Sequence, residues 1–210
     1  MIVAYKNYRR TERVELCIKS VRHLMPSVEV HCLFLFDNGP EEYESEASRF
    51  RDMGVVVHYD RNKHRLGPGC YSPANGCYYT EYLNYFSQIF KDEKKVLAMD
   101  EDVYFTTGET LRWMNETEFD LAWAPWWIGV NAAILGINFQ KLGCLFPLPE
   151  KVEYIEAILR DELHKKAVDM GADIKLIPTR NHDNYFGDGS YTNDTEHIRR
   201  HLIDAKIIQA

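Results

Sequence analysis

Three adjacent carboxylates end an otherwise apolar stretch, KVLAMDEDVYF, which spans residues 95 to 105. Asp100, Glu101 and Asp102 repel one another, and burying any of them without a partner is costly. If they continue the alternation of a strand, Asp100 and Asp102 face one side and Glu101 faces the other. Two such carboxylates can bind Mn²⁺ or Mg²⁺, which prefer oxygen ligands, and the cation can hold a diphosphate. The alternative is a solvated turn at a strand end.

The elements that must position this triplet alternate between short apolar runs and segments with helical periodicity. The predicted strands are 1–5, 28–36, 55–59 and 95–99, and the predicted helices are 12–25, 41–53 and 72 to about 91. This order predicts a parallel sheet with helices on both faces, whose ligands bind at the carboxyl ends of the strands. Four polar segments lie at those ends: 5–10, 37–38, 60–72 and 100–102.

The pattern changes after residue 105, which divides the domain into two halves, 1–105 and 106–210. Strands are predicted at 119–124, 131–137 and 173–178, with helices at 107–115, 150–170 and from 198 onwards. The fold class is therefore α/β, with a mixed-strand second half.

Composition and charge exclude several classes of protein. The 210 residues carry a formal net charge of −7 and are 45% hydrophobic, which suits a globular core but not a coat on nucleic acid. We find no apolar run long enough for a membrane span and no signal peptide. Five scattered cysteines, an odd number without a C-x-x-C pair, favour reduced thiols and a cytoplasmic location.

The order of these motifs resembles the GT-A fold of nucleotide-sugar glycosyltransferases and, more loosely, a glycosyltransferase domain of a large algal virus. The stretches that carry the resemblance are CLFLFDNGP, RNKHRLGPGCYSPANG, VLAMDEDVYF and ADIKLIPTRNHDNY. The resemblance implies a Rossmann-like, mostly parallel sheet and transfer of a sugar from a nucleotide-diphosphate sugar, for which we expect a UDP-sugar. It also implies a divalent cation, Mn²⁺ or Mg²⁺, and a glycan or glycoprotein acceptor. On this resemblance, residues 1–105 are the nucleotide-sugar-binding half and residues 106–210 the acceptor-binding half.

The resemblance assigns roles to the triplet and to a later histidine. Asp102 is expected to ligate the cation, while Asp100 reaches the ribose or a metal-bound water and Glu101 lies beside it on the donor side. His182 in RNHDNY is similar to a metal-binding histidine of the family, with Asp183 as a rival ligand. The alternative for His182 is a surface residue in a polar loop.

Residues after the first two strands could contact the nucleotide. Tyr5 could stack on the base, Asn7 could read it, and Arg9 could bind a phosphate. Asp37 could accept a hydrogen bond from uracil N3 or a ribose hydroxyl. The alternatives are a capped helix entry for the first three and an Asx turn for Asp37.

A basic loop completes the predicted donor site, and a tryptophan-rich strand connection forms the predicted acceptor site. Arg65 is the preferred nucleotide contact of the loop, and Gly67 would permit close backbone approach. Trp126 and Trp127 could form the floor for a sugar ring, with Asn131 lining the same opening. The alternatives are a solvated loop and a core in which at least one tryptophan is buried.

The acceptor half contains one adjacent pair of carboxylates, Asp161 and Glu162, that could supply the catalytic base of an inverting enzyme. The pair lies in the middle of a predicted helix, which departs from the family pattern. A retaining enzyme needs no such base, and we therefore favour retention.

Two other functions stay open: a catalytically silent nucleotide- or carbohydrate-binding module, and a sugar nucleotidyltransferase. The second should carry a glycine-rich loop after the first strand, whereas AYKNYRRTER contains no glycine.

Overall fold

A computed structural model of the protein describes residues 1–62, 75–126, 129–149, 159–178, 186–187 and 195–209. Strands and helices alternate along the first hundred residues, as predicted from the hydrophobic periodicity. The elements of this half are β1 (Ile2–Asn7), α1 (Thr11–Leu24), β2 (Glu29–Phe36), α2 (Glu44–Asp52), β3 (Val56–Arg61), α3 (Asn75–Ile89) and β4 (Val96–Met99). No helix in this described part of the chain is both long and apolar enough to cross a membrane.

The second half adds strands of mixed direction and shorter helices. Its elements are β5 (Val103–Tyr104), α4 (Glu109–Glu116), β6 (Leu121–Trp126), β7 (Gly129–Ile137), α5 (Phe139–Leu142), a π-helical turn (Leu159–His164), α6 (Lys165–Asp169), β8 (Ile174–Leu176), β9 (Phe186–Gly187) and α7 (Thr195–Asp204). Seven strands form one sheet in the order β3-β2-β1-β4-β7-β6-β8. Strands β1 to β4 run parallel, and β7 is antiparallel to both β4 and β6. The predicted mostly parallel sheet is confirmed.

Side-chain alternation divides the core between the two faces of the sheet. On β1, Val3 and Tyr5 join helices α1, α2, α4 and α7 on one face, while Ile2 and Ala4 join α3, α5 and α6 on the other. All four residues are nearly or completely buried. The continuous apolar run of β1 is therefore explained by helices on both faces, as in other parallel sheets.

Three local features differ from the sequence prediction. Within the predicted helix 150–170, the described residues form a π-helical turn at Leu159–His164, followed by α6. The short pairing of β5 with β9 was not predicted, because two-residue strands give no periodicity. Strand β4 ends at Met99, and Glu101 and Asp102 form a turn.

A pair of histidines beneath α3 predicts that the stability of the fold depends on pH. His31 Nδ1 lies 2.8 Å from His58 Nε2, and Phe90 packs edge-on against both rings. Burial and the neighbouring His31 lower the pKa of His58 from 6.5 to about 4. The unfolded chain therefore takes up a proton before the folded protein does. The free energy of unfolding should fall by about 1–3 kcal/mol as the pH drops through this window.

His58→Phe should remove most of this acid-dependent loss, because the phenyl ring cannot be protonated. Thermal melts between pH 7 and pH 4 measure the effect. His23→Gln, at the exposed end of α1, is the matched control and should keep the wild-type profile. An equal loss of stability in His58→Phe and wild type would show that the histidine pair does not cause it.

Candidate donor and metal site

The carboxylate triplet lies at the carboxyl edge of the sheet, directly after the central strand β4. Tyr5 of β1 is in register with Met99 of β4, so Lys6 comes beside Asp100 one position further along. The triplet is a turn rather than part of the strand. The sequence prediction that Asp100 and Asp102 face the same side relied on strand alternation. That reasoning is wrong here, because neither residue belongs to the strand.

Each carboxylate of the triplet has a different electrostatic environment. Asp100 Oδ1 lies 2.8 Å from Nζ of Lys6, whose side chain is 6% exposed. Glu101 Oε1 lies 3.3 Å from Nε of Arg10, whose side chain is 29% exposed. Asp102 is 4% exposed, and its Oδ1 accepts a hydrogen bond from none of the described residues.

The environment of Asp102 opposes its negative charge. Burial, followed by the negative charges of Asp100 and Glu101, raises the pKa of Asp102 from 3.8 to about 8. Arg13 and Lys6 act in the opposite direction but do not compensate. Burial also raises the pKa of Glu101. The ionised form of Asp102 is therefore unfavourable in the protein alone, and a cation bound beside it would stabilise that form.

The donor set fits a divalent cation at Asp102. Its orphaned Oδ1 offers a buried oxygen ligand next to two further carboxylates, which is the chemistry that Mn²⁺ and Mg²⁺ prefer. Among the described residues no group of three histidine, cysteine, aspartate or glutamate side chains is arranged to hold a metal ion. A site here therefore needs ligands from a nucleotide, from water or from residues beyond the described ranges.

Asp37, at the end of β2, is the centre of a second polar cluster at the same edge. It accepts hydrogen bonds from the Tyr8 hydroxyl, at 3.1 Å, and from Nδ2 of Asn62, at 2.8 Å. The guanidinium of Arg9 forms a close ion pair with it. Burial alone would raise the pKa of Asp37, but the three hydrogen bonds outweigh it and lower the pKa.

The backbone of Arg9 is strained at the turn from β1 to α1. Its φ is 57°, in the left-handed region that non-glycine residues rarely adopt. The hydroxyl of Tyr43 accepts a hydrogen bond from its backbone N–H at 3.1 Å, which helps to hold this conformation. The strained turn places the guanidinium next to Asp37 and 5.2 Å from the centre of the Tyr8 ring.

Two residues of β1 do not fit their predicted nucleotide contacts. Tyr5 is completely buried and donates its hydroxyl to the carbonyl of Val103, so it offers no face for stacking. Asn7 is also buried, and its side chain bonds to Thr11 Oγ1 and to the N–H of Arg10. These bonds brace the turn that leads into α1, although no side chain caps the N-terminus of that helix.

Several predicted contacts cannot be compared with the structure. Arg65, Gly67, Trp127 and His182 lie outside the described residues. The backbone of Trp126 ends β6 and that of Asn131 lies in β7, but their side chains are outside the description. Trp123 is a core residue, 8% exposed, with its ring packed edge-on against His164.

The two candidate bases of the second half of the chain are both paired with neighbouring cations. Asp161 has a side chain that is 58% exposed and pairs with the guanidinium of Arg160 at 2.8 Å. Glu162 has a side chain that is 18% exposed and lies 2.7 Å from Nζ of Lys166. Asp161 thus faces away from the core, and Glu162 lies closer to it.

The sequence interpretation missed Lys6, Tyr8, Arg10 and Asn62 as members of these clusters. Lys6 carried a usable signal, because a lysine near the end of an otherwise apolar strand needs a buried partner. Tyr8 lies three residues after Tyr5, just beyond the end of β1. Asn62 follows β3, and only the pairing of β3 with β2 brings it to Asp37.

Removing the Asp37 carboxylate should weaken recognition of the nucleoside. If the Asp37 cluster contacts the base or ribose, Asp37→Ala should reduce UDP affinity by about 1–3 kcal/mol and shrink the difference between UDP and GDP. Calorimetric titration of both nucleotides measures this. Glu41→Ala, an exposed change in the adjacent turn, is the control. An unchanged preference in Asp37→Ala would remove Asp37 from the site.

No protein-family model and no curated protein sequence matches the chain. Solved structures of glycosyltransferases do resemble it. The galactosyltransferase LgtC, in complex with donor and acceptor sugar analogues, aligns with a TM-score of 0.62 at 14% identity, over 100% of this chain and 97% of that one. The mannosyltransferase PcManGT of Pyrobaculum calidifontis, in complex with GDP-Man and Mn²⁺, aligns with a TM-score of 0.56 at 12% identity. That match covers 84% of this chain and 54% of PcManGT.

The apo form of the glycosyltransferase GlyE of Streptococcus pneumoniae TIGR4 gives a TM-score of 0.52 at 18% identity. That match covers 98% of this chain, which spans 61% of the length of GlyE. These likenesses, together with the sheet order, show that the chain has the GT-A glycosyltransferase fold. The fold predicted from the sequence motifs is thereby confirmed.

Proposed function

We propose that the chain is a metal-dependent glycosyltransferase that transfers a sugar from a nucleotide-diphosphate sugar to a glycan or glycoprotein acceptor. The observation that carries the proposal is the orphaned Oδ1 of Asp102, buried beside two more carboxylates at the ligand-binding edge of a GT-A sheet. A bound divalent cation supplies charge stabilisation for the departing diphosphate. Mn²⁺ in the PcManGT structure supports this choice of cation by analogy.

We assign each residue of the two clusters a role in binding the cation or the nucleotide. Asp102 would hold the cation, with Asp100 beside it. Tyr8 and Arg9 would contact the nucleoside and phosphate, while Asp37 fixes both side chains through its hydrogen bonds. We propose a UDP-sugar as the donor, because one carboxylate at the end of β2 suits the N3–H of uracil or a ribose hydroxyl. GDP-sugars are the competing donor to include in any assay.

We further propose that transfer retains the anomeric configuration. Both candidate bases are held by cations, Asp161 by Arg160 and Glu162 by Lys166. Asp161→Ala and Glu162→Ala should therefore leave turnover within a few-fold of wild type. Loss of a true general base would instead lower turnover by a factor of about 10²–10⁴.

The test is transfer or hydrolysis of UDP- and GDP-sugars with Mn²⁺ and with EDTA, with the anomeric configuration of the product read by NMR. We expect Mn²⁺-dependent release of UDP and a retained product. Binding of UDP without any turnover would point to a silent binding module. An inverted product together with an inactive Asp161→Ala or Glu162→Ala variant would identify a base and overturn retention.

A further inference from the structure

Lys6 occupies an unusual position for a lysine. It is 5% exposed, near the end of central strand β1, with its Nζ 5.2 Å from the centre of the Tyr82 ring. Lysines are almost never this buried unless they are paired. Its Nζ lies 2.8 Å from Oδ1 of Asp100, so the charge of one candidate metal-binding carboxylate is already compensated within the protein.

The other ion pair of the triplet is more open to water. Arg10, which pairs with Glu101 at 3.3 Å, has a side chain that is 29% exposed, compared with 6% for Lys6. Water screens the Arg10 pair more strongly than the Lys6 pair. Of these two ion-paired cations, Lys6 is therefore the one whose charge acts more strongly on an ion that binds beside Asp100.

A divalent cation that uses Asp100 meets direct competition from Lys6. Both positive charges need the same carboxylate, whose side chain is 19% exposed, and they repel each other at close range. Asp102, whose Oδ1 has no hydrogen-bond partner among the described residues, still offers the cation a first ligand. If the cation displaces the ammonium from Asp100, the diphosphate of the donor brings negative charge that offsets both cations.

We propose that Lys6 is a built-in counter-ion that holds Asp100 in the donor-free protein and makes the binding of divalent cation and nucleoside diphosphate mutually dependent. Lys6 is then a positioning residue for the metal and the diphosphate. The inference rests on the proposed function, since it takes the triplet as the metal site. Cation alone should bind weakly, and each ligand should strengthen the other by the same factor.

The test measures Mn²⁺ affinity by electron paramagnetic resonance, with and without UDP, in wild type, Lys6→Met and Arg10→Met. Without UDP, we expect Lys6→Met to bind Mn²⁺ about tenfold or more tightly than wild type, and UDP to add less to that affinity. Arg10→Met should change Mn²⁺ affinity much less. Lys6→Gln keeps a hydrogen-bond donor but not the charge, and it should behave like Lys6→Met. It replaces Lys6→Met in the test if the methionine variant does not fold.

Two failures can be told apart. If Lys6→Gln and Lys6→Met fold but bind Mn²⁺ alone no more tightly than wild type, the counter-ion role is wrong, while Mn²⁺-dependent UDP binding by wild type still supports the proposed function. If wild type does not bind UDP in the presence of either Mn²⁺ or Mg²⁺, the proposed function fails, and the inference fails with it.

Discussion

Asp102→Asn is expected to abolish Mn²⁺-dependent UDP binding and, at the same time, to raise the stability of the metal-free protein. An amide is a poor ligand for a hard cation, so the binding loss should exceed about 100-fold. The same change removes a charge that burial, Asp100 and Glu101 all oppose. We expect a gain in the free energy of unfolding of about 2–4 kcal/mol near pH 8.

The gain should depend on pH in a defined direction. The pKa of Asp102 is raised from 3.8 to about 8 in the folded protein, so between these values the folded state keeps a proton that the unfolded chain has released. The contribution of Asp102 to stability therefore falls as the pH rises through this window. Asp102→Asn should be free of that decline, and its advantage over wild type should grow from acidic to neutral pH.

Thermal melts in EDTA across this pH range measure the stability effect, and calorimetric titration of UDP with Mn²⁺ measures binding. Asp92→Asn, an exposed aspartate between α3 and β4, is the control and should change neither quantity. A normal Mn²⁺-dependent UDP affinity in Asp102→Asn would show that Asp102 is not a metal ligand. Equal stabilisation by Asp92→Asn would show that the gain comes from net charge alone.

Asp100→Asn should have the opposite effect on stability, although it lies only two residues away. Its carboxylate is the 2.8 Å partner of Lys6, and replacing it deprives a buried ammonium of that counter-ion. Breaking a buried ion pair by removing one partner is strongly destabilising. Because the Asp100 side chain keeps 19% exposure, we expect a loss of about 2–4 kcal/mol.

The double variant Lys6→Met with Asp100→Asn is the matched control, because it removes both charges together. It should recover part of the stability that Asp100→Asn loses, and the double-mutant cycle gives the coupling energy. Chemical denaturation at neutral pH in EDTA is the measurement. If Asp100→Asn is as stable as wild type, or if the cycle shows no coupling, the Lys6 pair does not stabilise the fold.

The sequence predicted the part of the structure that depends on local periodicity. Apolar runs of strand length, amphipathic helices and turn residues such as Asp37-Asn38-Gly39 identified the elements of the first half in their correct order. The order of elements then predicted a parallel sheet, because short connections and crossover helices leave few topologies. The position of the triplet at the carboxyl edge followed from the same reasoning.

The details of the site depend on pairs far apart in the chain, which periodicity does not reveal. Whether Asp100 is paired is decided by the alignment of β1 with β4, which brings Lys6 beside it. The predicted roles of Tyr5 and Asn7 did not fit, because β1 continues to Asn7 and buries both side chains. Strand β4 ended before the triplet, so alternation could not be applied to Asp100 and Asp102.

The central claim is that Asp102 and its neighbours hold a divalent cation together with a nucleoside diphosphate. The most direct test is a crystal structure of the protein grown with UDP and Mn²⁺, with the ion located by its anomalous scattering. The account predicts an anomalous peak within coordination distance of the Asp102 carboxylate and of the diphosphate oxygens. UDP bound at this edge without an anomalous peak at Asp102, or a peak at some other group of ligands, would contradict it.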